Sequence, residues 1–299
     1  MLNAVAVVTG ANAGLGFQTA LELARAGATV VMGCRSAERA RKAQLDLLAQ
    51  LPDARTVLIP LDVSEPTSIQ DFGRRFADLC DGLDILINNA GVVAVPLSRN
   101  SVGHEMHLAT NYLGAFALTG VLLPLIRDRA RIVNVGSLAH RVSTLDLSDV
   151  NWERTQYNEW KAYSRSKVAL LSFTMELNRR LRQSGSTALA LGAHPGFAAT
   201  EVGKKNSSAL TPTNAFSKWL NEKIAPLIPL PAEASAPILH AARDGGVRGG
   251  EYFGPTGYLE IRGSPGTARV NPIVRDVEIG RRLWSLSESM TGVRYLSDL

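Results

Sequence analysis

The 299-residue sequence predicts a doubly wound, parallel α/β sheet flanked by helices. Short apolar runs alternate with amphipathic helical patterns through the first two thirds of the chain. The runs are rich in Val, Ile and Leu without strict polar alternation, as expected of strands covered on both faces. The links between them are short, which fits parallel strands joined by right-handed helical crossovers.

The elements follow in order. AVAVVTG (4–10) is the first strand, and the helix FQTALELARAG (17–27) places Phe17, Ala20, Leu21 and Ala24 on one face before Gly27 stops it. ATVVMGC (28–34) and TVLIPLD (56–62) are the next strands. The helix EPTSIQDFGRRFADLC (65–80) is expected to begin after Ser64 as its cap, with Pro66 in the first turn. LDILINNAG (83–91), RIVNVGS (131–137) and ALALGAHPG (188–196) complete six strands. The apolar stretch GAFALTGVLLPLI (114–126) contains Pro124 and is too short by itself to span a bilayer, so it predicts a buried core helix.

Beyond Phe197 the pattern changes. Residues 197–232 are polar with little periodicity and predict a substrate-binding flap. A helix over 231–245 follows, then strand-like pieces divided by Gly and Pro (249–263), then a final helix over 273–292. The expectation is one domain over 1–299, with 250–299 as a C-terminal extension.

Composition narrows the function. The chain is 45% hydrophobic and 20% charged, enough for a sizeable core, with a formal net charge of +5. The basic residues are scattered over helix faces with few aromatics between them, which argues against nucleic acid as a partner. The sequence opens almost directly on a strand, so no signal peptide is expected, and it holds two cysteines, Cys34 and Cys80, outside any metal-ligand spacing. A cytoplasmic protein without a membrane span is expected. His104, His107, His140 and His194 form neither a metal-binding spacing nor part of a hydrolase triad, and His194 is expected to be structural.

The chemistry-bearing residues lie at strand ends. TGANAGLG (9–16) links a strand to a helix, the context in which glycines let a backbone approach a pyrophosphate at a helix N-terminus. Gly10, Asn12, Ala13, Gly14, Leu15 and Gly16 are therefore candidate cofactor contacts. The second strand ends in Cys34 followed by Arg35, where sites that take NAD usually carry an acid; a guanidinium there suits the 2′-phosphate of NADP. Arg39 is a weaker candidate for the same phosphate. Tyr163 and Lys167 lie four apart, so on a helix both project from one face, and a neighbouring ammonium favours the phenolate.

The glycine turn, NNAG (88–91), Ser137 at a strand end, the Tyr163/Lys167 pair and HPG (194–196), in this order, resemble the short-chain dehydrogenase/reductase family, whose sheet is of the Rossmann type. The resemblance spans roughly Val5 to Thr200, and the family's turn has the T-G-x-x-x-G-x-G spacing found at Thr9–Gly16. It implies that Tyr163 is the acid/base at the reacting oxygen, that Lys167 lowers its pKa and holds the nicotinamide ribose, and that Ser137 hydrogen-bonds the reacting oxygen. It implies that Asn111 supports a water-linked proton relay and that Asp62 and Val63 contact adenine. Asn88, Ala90 and Gly91 would line the ribose side, and Pro195, Gly196 and Thr200 would cover the nicotinamide and phosphates.

The long insert between Ser137 and Tyr163 is similar to that of the retinol-dehydrogenase-like and protochlorophyllide-reductase-like branches. Trp152, Tyr157 and Trp160 within it border an apolar pocket or anchor the insert, the latter being favoured for Trp152. The resemblance implies an NADP(H)-dependent alcohol dehydrogenase or carbonyl reductase for a bulky, largely apolar small molecule, with NAD(H) as the alternative cofactor and a homo-dimer or homo-tetramer as the assembly. A non-catalytic dinucleotide sensor or scaffold on the same fold is the rival function.

Overall fold

The computed structural model describes residues 3–196 and 230–297. One eight-stranded sheet organises them in the order β3-β2-β1-β4-β5-β6-β7-β8. The strands are β1 (Val5–Thr9), β2 (Thr29–Cys34), β3 (Thr56–Pro60), β4 (Leu83–Asn88), β5 (Ile126–Val135), β6 (Leu189–Ala193), β7 (Tyr252–Pro255) and β8 (Pro265–Thr267). Every pairing is parallel except β7 with β8. The helices are α1 (Gly14–Arg25), α2 (Ala37–Gln50), α3 (Pro66–Leu79), α4 (Met106–Leu108), α5 (Gly114–Leu122), α6 (Glu159–Gln183), α7 (Pro231–Arg243) and α8 (Val277–Thr291). The six strands legible in the sequence are all present. The predicted flap over 197–232 lies outside the described residues up to 229, as does Thr200.

Successive strand residues point to opposite faces, and here both faces are apolar. Val7 and Val31 enter one core with Phe72, Phe116 and Phe173, while Ala6, Val8, Val30 and Met32 enter the other with Leu21 and Ile238. That division is why the strands read as unbroken apolar runs. The strand order reverses between β1 and β4, which opens a crevice at the C-terminal ends of these strands.

Two local expectations are corrected. The third helix starts at Pro66 with Glu65 in the capping position and no side-chain cap bond. The Ser64 hydroxyl instead donates to Asp62 Oδ1 at 2.6 Å, so the nearer carboxylate takes it from the helix. The apolar core helix is also longer than expected, because α4, a π-helical stretch (Ala109–Leu113), α5 and a 3₁₀ turn (Leu123–Leu125) run on continuously. The resulting segment Met106–Leu125 is long and apolar enough to cross a membrane by length and composition, and 78% of its apolar window is buried inside the molecule.

The C-terminal helix α8 lies across α5 and α6. Trp284 packs against Phe116, Phe173 and Tyr295, with the Arg180 guanidinium 4.4 Å from its ring centre. The Tyr295 hydroxyl donates to the Phe116 carbonyl at 3.0 Å, and Tyr112 bonds Ser287. These contacts seat α8 and Tyr295 against the helices of the core.

Candidate active site

The glycine turn is fastened to the end of β4. Thr9 Oγ1 accepts from the backbone N–H groups of Asn89 and Ala90, both at 2.9 Å, and Asn89 Nδ2 donates to the Thr9 carbonyl at 2.8 Å. A Cβ on Gly16 would stand 2.4 Å from the Gly10 carbonyl oxygen and 2.5 Å from Asn89 Nδ2, so no larger residue fits there. Gly10 and Gly14 have φ of +66° and +54°, and the space beside Gly14 is open to 4 Å. Helix α1 begins at Gly14 without a side-chain cap and with no acid in its first turn, leaving its N-terminal dipole to a ligand. An open cradle beside an uncapped helix start fits a pyrophosphate. Asn12, Ala13 and Leu15 belong to the same turn. Beneath it, burial pushes the Cys34 thiol up to about 11, which keeps it protonated.

Arg35 follows β2 and Asp62 follows β3. The Arg35 guanidinium is 3.7 Å from Asp62 Oδ2 and its side chain is 69% exposed, so it is free to meet an anion. Ser36 caps α2 by accepting from the Arg39 N–H. Asp62 also accepts from the Ser64 N–H at 3.0 Å, and Val63 beside it is buried. The Asn88 side chain turns inward rather than toward the crevice. Its Nδ2 donates to Asn134 Oδ1 at 2.8 Å and Thr119 Oγ1 at 3.3 Å, and Asn134 in turn donates to Thr174. Any contact of Asn88 with a cofactor would have to come from its backbone.

Ser137, Tyr163 and Lys167 meet beyond the end of β5. Burial holds the Tyr163 phenol above its ordinary range, opposed by the neighbouring Ser137 hydroxyl. Lys167 Nζ donates to the Val135 carbonyl at 2.7 Å and stands 6.0 Å from the centre of the Tyr163 ring. Burial pushes this ammonium down to about 8. The lysine thus lies on the same face as the tyrosine, as the four-residue spacing predicts, with its nearest bond to backbone.

Asn111 sits in the π-helical stretch, a feature often found at functional sites. Its Oδ1 accepts from the Val92 N–H at 2.8 Å, while Nδ2 donates to the Val92 carbonyl at 3.0 Å and Ser166 Oγ at 2.9 Å. It thereby ties the 91–92 turn to α6. A Cβ on Gly91 would lie 3.1 Å from Asn111 Oδ1 and 3.8 Å from Lys167 Nζ, which puts Gly91, Asn111 and Lys167 at one point. Pro195 and Gly196 follow β6, and Gly196 has φ of +77°.

Sequence reasoning missed a second polar group behind Tyr163. Glu105 accepts from His107 Nδ1 at 2.8 Å, His107 Nε2 accepts from the Val95 N–H at 3.2 Å, and Tyr157 donates to the Val95 carbonyl at 2.9 Å. Trp152 is buried against Tyr157 with Arg165 stacked on it, so it anchors the insert. Trp160 is half exposed, with its ring centre 6.4 Å from that of Tyr163.

Comparison with known proteins gives a consistent result. The sequence model described as short chain dehydrogenase matches residues 4–211. Retinol dehydrogenase 13 of Homo sapiens is 37% identical over 96% of this chain and 84% of its own length. Polyprenol dehydrogenase of Mus musculus is 34% identical over 96% of this chain and 84% of its own length. Among solved structures, an uncharacterised protein from Mycobacterium paratuberculosis is 35% identical with a TM-score of 0.80, covering 98% of this chain and 95% of that one. The RhlG–NADP complex of Pseudomonas aeruginosa is 25% identical with a TM-score of 0.66, covering 84% of this chain and 94% of that one.

Proposed function

The chain belongs to the short-chain dehydrogenase/reductase family, in its retinol-dehydrogenase-like branch, and from that premise we propose an NADP(H)-dependent oxidoreductase interconverting a carbonyl and an alcohol. The observation that carries the proposal is Tyr163 and Lys167 on one helix face, beside Ser137 at the sheet end that also bears the glycine cradle.

When bound, the nicotinamide supplies or accepts the hydride. The protein's residues do the rest. Tyr163, kept protonated by burial, gives its proton to the carbonyl oxygen on reduction and takes it back from the alcohol on oxidation. Ser137 hydrogen-bonds the same oxygen and orients it. Lys167, with its lowered pKa, holds the ribose hydroxyls and returns a proton toward Tyr163. Asn111 fixes the 91–92 turn beside it so that the relay has a constant geometry. Gly10, Asn12, Ala13, Gly14, Leu15 and Gly16 take the pyrophosphate, and Asp62 and Val63 border the adenine. Asn88, Ala90 and Gly91 would provide backbone on the ribose side, while Pro195 and Gly196 would cover the nicotinamide.

Arg35 supports NADP(H) over NAD(H), since its exposed guanidinium follows β2 where an acid would serve the ribose hydroxyls. A bulky apolar substrate is supported by the half-exposed Trp160 beside Tyr163 and by the long-chain and isoprenoid alcohols named for the polyprenol and retinol relatives. The test is NADPH oxidation across aromatic, aliphatic and isoprenoid carbonyls. Turnover with an apolar aldehyde or ketone supports the proposal, and tight NADPH binding without turnover on any of them favours the non-catalytic dinucleotide sensor.

A further inference from the structure

The loop between β7 and β8 holds two successive non-glycine residues in left-handed backbone, Leu259 at φ 51° and Glu260 at φ 59°. Such backbone persists only where surrounding contacts hold it. The Leu259 side chain is 63% exposed and gains nothing from the conformation. What the conformation achieves is to turn the Glu260 carboxylate inward.

Three donors converge on that carboxylate. Oε2 accepts from His194 Nε2 at 3.0 Å and from the Arg141 guanidinium, while Oε1 accepts from the Arg269 N–H at 3.2 Å. Together they keep the carboxyl ionised below its ordinary range. The His194 tautomer follows from its other bond. The Gly196 N–H donates to Nδ1 at 3.1 Å, so the ring proton is on Nε2 and points at Glu260.

Two of these donors lead to different walls of the candidate site, while the third, the Arg269 N–H, belongs to the extension itself. His194 is fully buried and holds the Gly196 amide, in the turn that follows β6. Arg141 belongs to the 3₁₀ turn Leu138–Val142, whose capping residue is Ser137. The loop also supports Gly196 directly: a Cβ there would lie 2.1 Å from the Ile261 carbonyl oxygen, and φ is positive. Further along the same extension, Asn271 Nδ2 donates to the carbonyls of His140 and Ser143 at 3.2 and 2.8 Å.

We propose that Glu260 is a positioning residue, through which the strained loop of the C-terminal extension fixes the Gly196 turn and the Ser137 turn relative to one another. This deepens the oxidoreductase proposal and rests on it for the effect on turnover, whereas the geometric effect does not depend on turnover. Glu260 touches neither the reacting oxygen nor Tyr163. A glutamine in its place keeps the volume but has a single acceptor oxygen for three donors, so at least one of the three bonds is lost.

The experiment compares wild type with Glu260→Gln and Glu260→Ala. Hydrogen exchange on the ligand-free protein reads the amides of 135–142 and 192–196, with the buried strand β1 as reference. We expect exchange at Gly196 to rise by about tenfold in Glu260→Gln and further in Glu260→Ala, with β1 unchanged in the glutamine variant. In steady-state kinetics kcat should fall by about tenfold or more while KM for NADPH stays within about threefold, because misplacement of the reacting groups affects turnover more than cofactor affinity. Unchanged exchange at Gly196 in both variants would overturn the proposal, and so would unchanged kcat in an active enzyme. An equal rise at β1 in Glu260→Gln would also overturn it, by reducing Glu260 to a general stabiliser. Absence of carbonyl turnover in wild type would defeat the oxidoreductase reading instead, and the exchange measurement would still decide the linkage.

Discussion

The Arg35 guanidinium stands 3.7 Å from the Asp62 carboxylate, across the C-terminal ends of β2 and β3. The pair is exposed on the arginine side, so its contribution to folding is about 0–1 kcal/mol and can be given up to a better anion. A 2′-phosphate offers bidentate, charge-assisted bonds that a ribose hydroxyl does not. Arg35→Ala should therefore leave the unfolding midpoint nearly unchanged while lowering kcat/KM for NADPH by about tenfold or more and that for NADH much less. Arg35→Asp should move preference toward NADH. Kinetics with both cofactors checks this, and an unchanged ratio removes Arg35 from the site.

The glycines of the turn should separate by mechanism. Gly16→Ala drives a Cβ to within 2.4 Å of the Gly10 carbonyl oxygen, so it should destabilise the fold and abolish NADPH binding together. Gly14→Ala meets open space and carries only the strain of φ +54°, about 1 kcal/mol. It should keep most of its stability yet weaken NADPH binding, because the added methyl fills the cradle. Urea unfolding with NADPH fluorescence titration distinguishes the two.

Burial pushes the His194 imidazole down to about 4 from an ordinary 6.5, with the Glu260 carboxylate opposing that effect. Between those values the unfolded chain binds a proton that the folded chain refuses. Stability from this site is therefore full above about pH 6.5 and is lost as pH falls toward 4. His194→Gln, which cannot titrate, should show a shallower loss over that range in urea unfolding. Parallel acid limbs for the two proteins would contradict the assignment.

Helix α8 is expected to fold with the sheet as one unit. Trp284→Ala removes a fully buried ring between Phe116, Phe173 and Arg180 and should cost about 3–5 kcal/mol. The whole transition should shift, with fluorescence and circular dichroism coincident. Two separate transitions would make the extension a domain of its own. Since α8 packs against α5 and α6, an assembly built over this face would include α8 in its interface, and cross-linking from Ser285 on its exposed side reports whether it does.

The placement of the candidate site was legible in the sequence because its motifs fall at strand ends, where motif and structural context coincide. TGANAGLG, NNAG, Ser137 and HPG all lie where β1, β4, β5 and β6 end. What escaped depends on distance or local competition. Ser64 has the chemistry of a cap, but Asp62 two residues away takes its hydroxyl. The Tyr163/Lys167 spacing suggests a lowered phenol pKa, yet burial outweighs it while Lys167 bonds Val135. The Asn88 side chain is drawn inward by Asn134, a contact 46 residues away that the NNAG motif does not reveal. Glu260 carried no signal, since its partners lie 66 and 119 residues away in sequence.

The central claim is that Tyr163 exchanges the proton at the reacting oxygen, and Tyr163→Phe tests it most directly. That variant keeps the ring and its packing and removes only the hydroxyl beside Ser137. Measured with NADPH and the best carbonyl substrate, kcat should fall by about a hundredfold or more, in the range of general acid–base catalysis, with NADPH affinity retained within about threefold. Turnover at the wild-type rate in Tyr163→Phe would contradict the account.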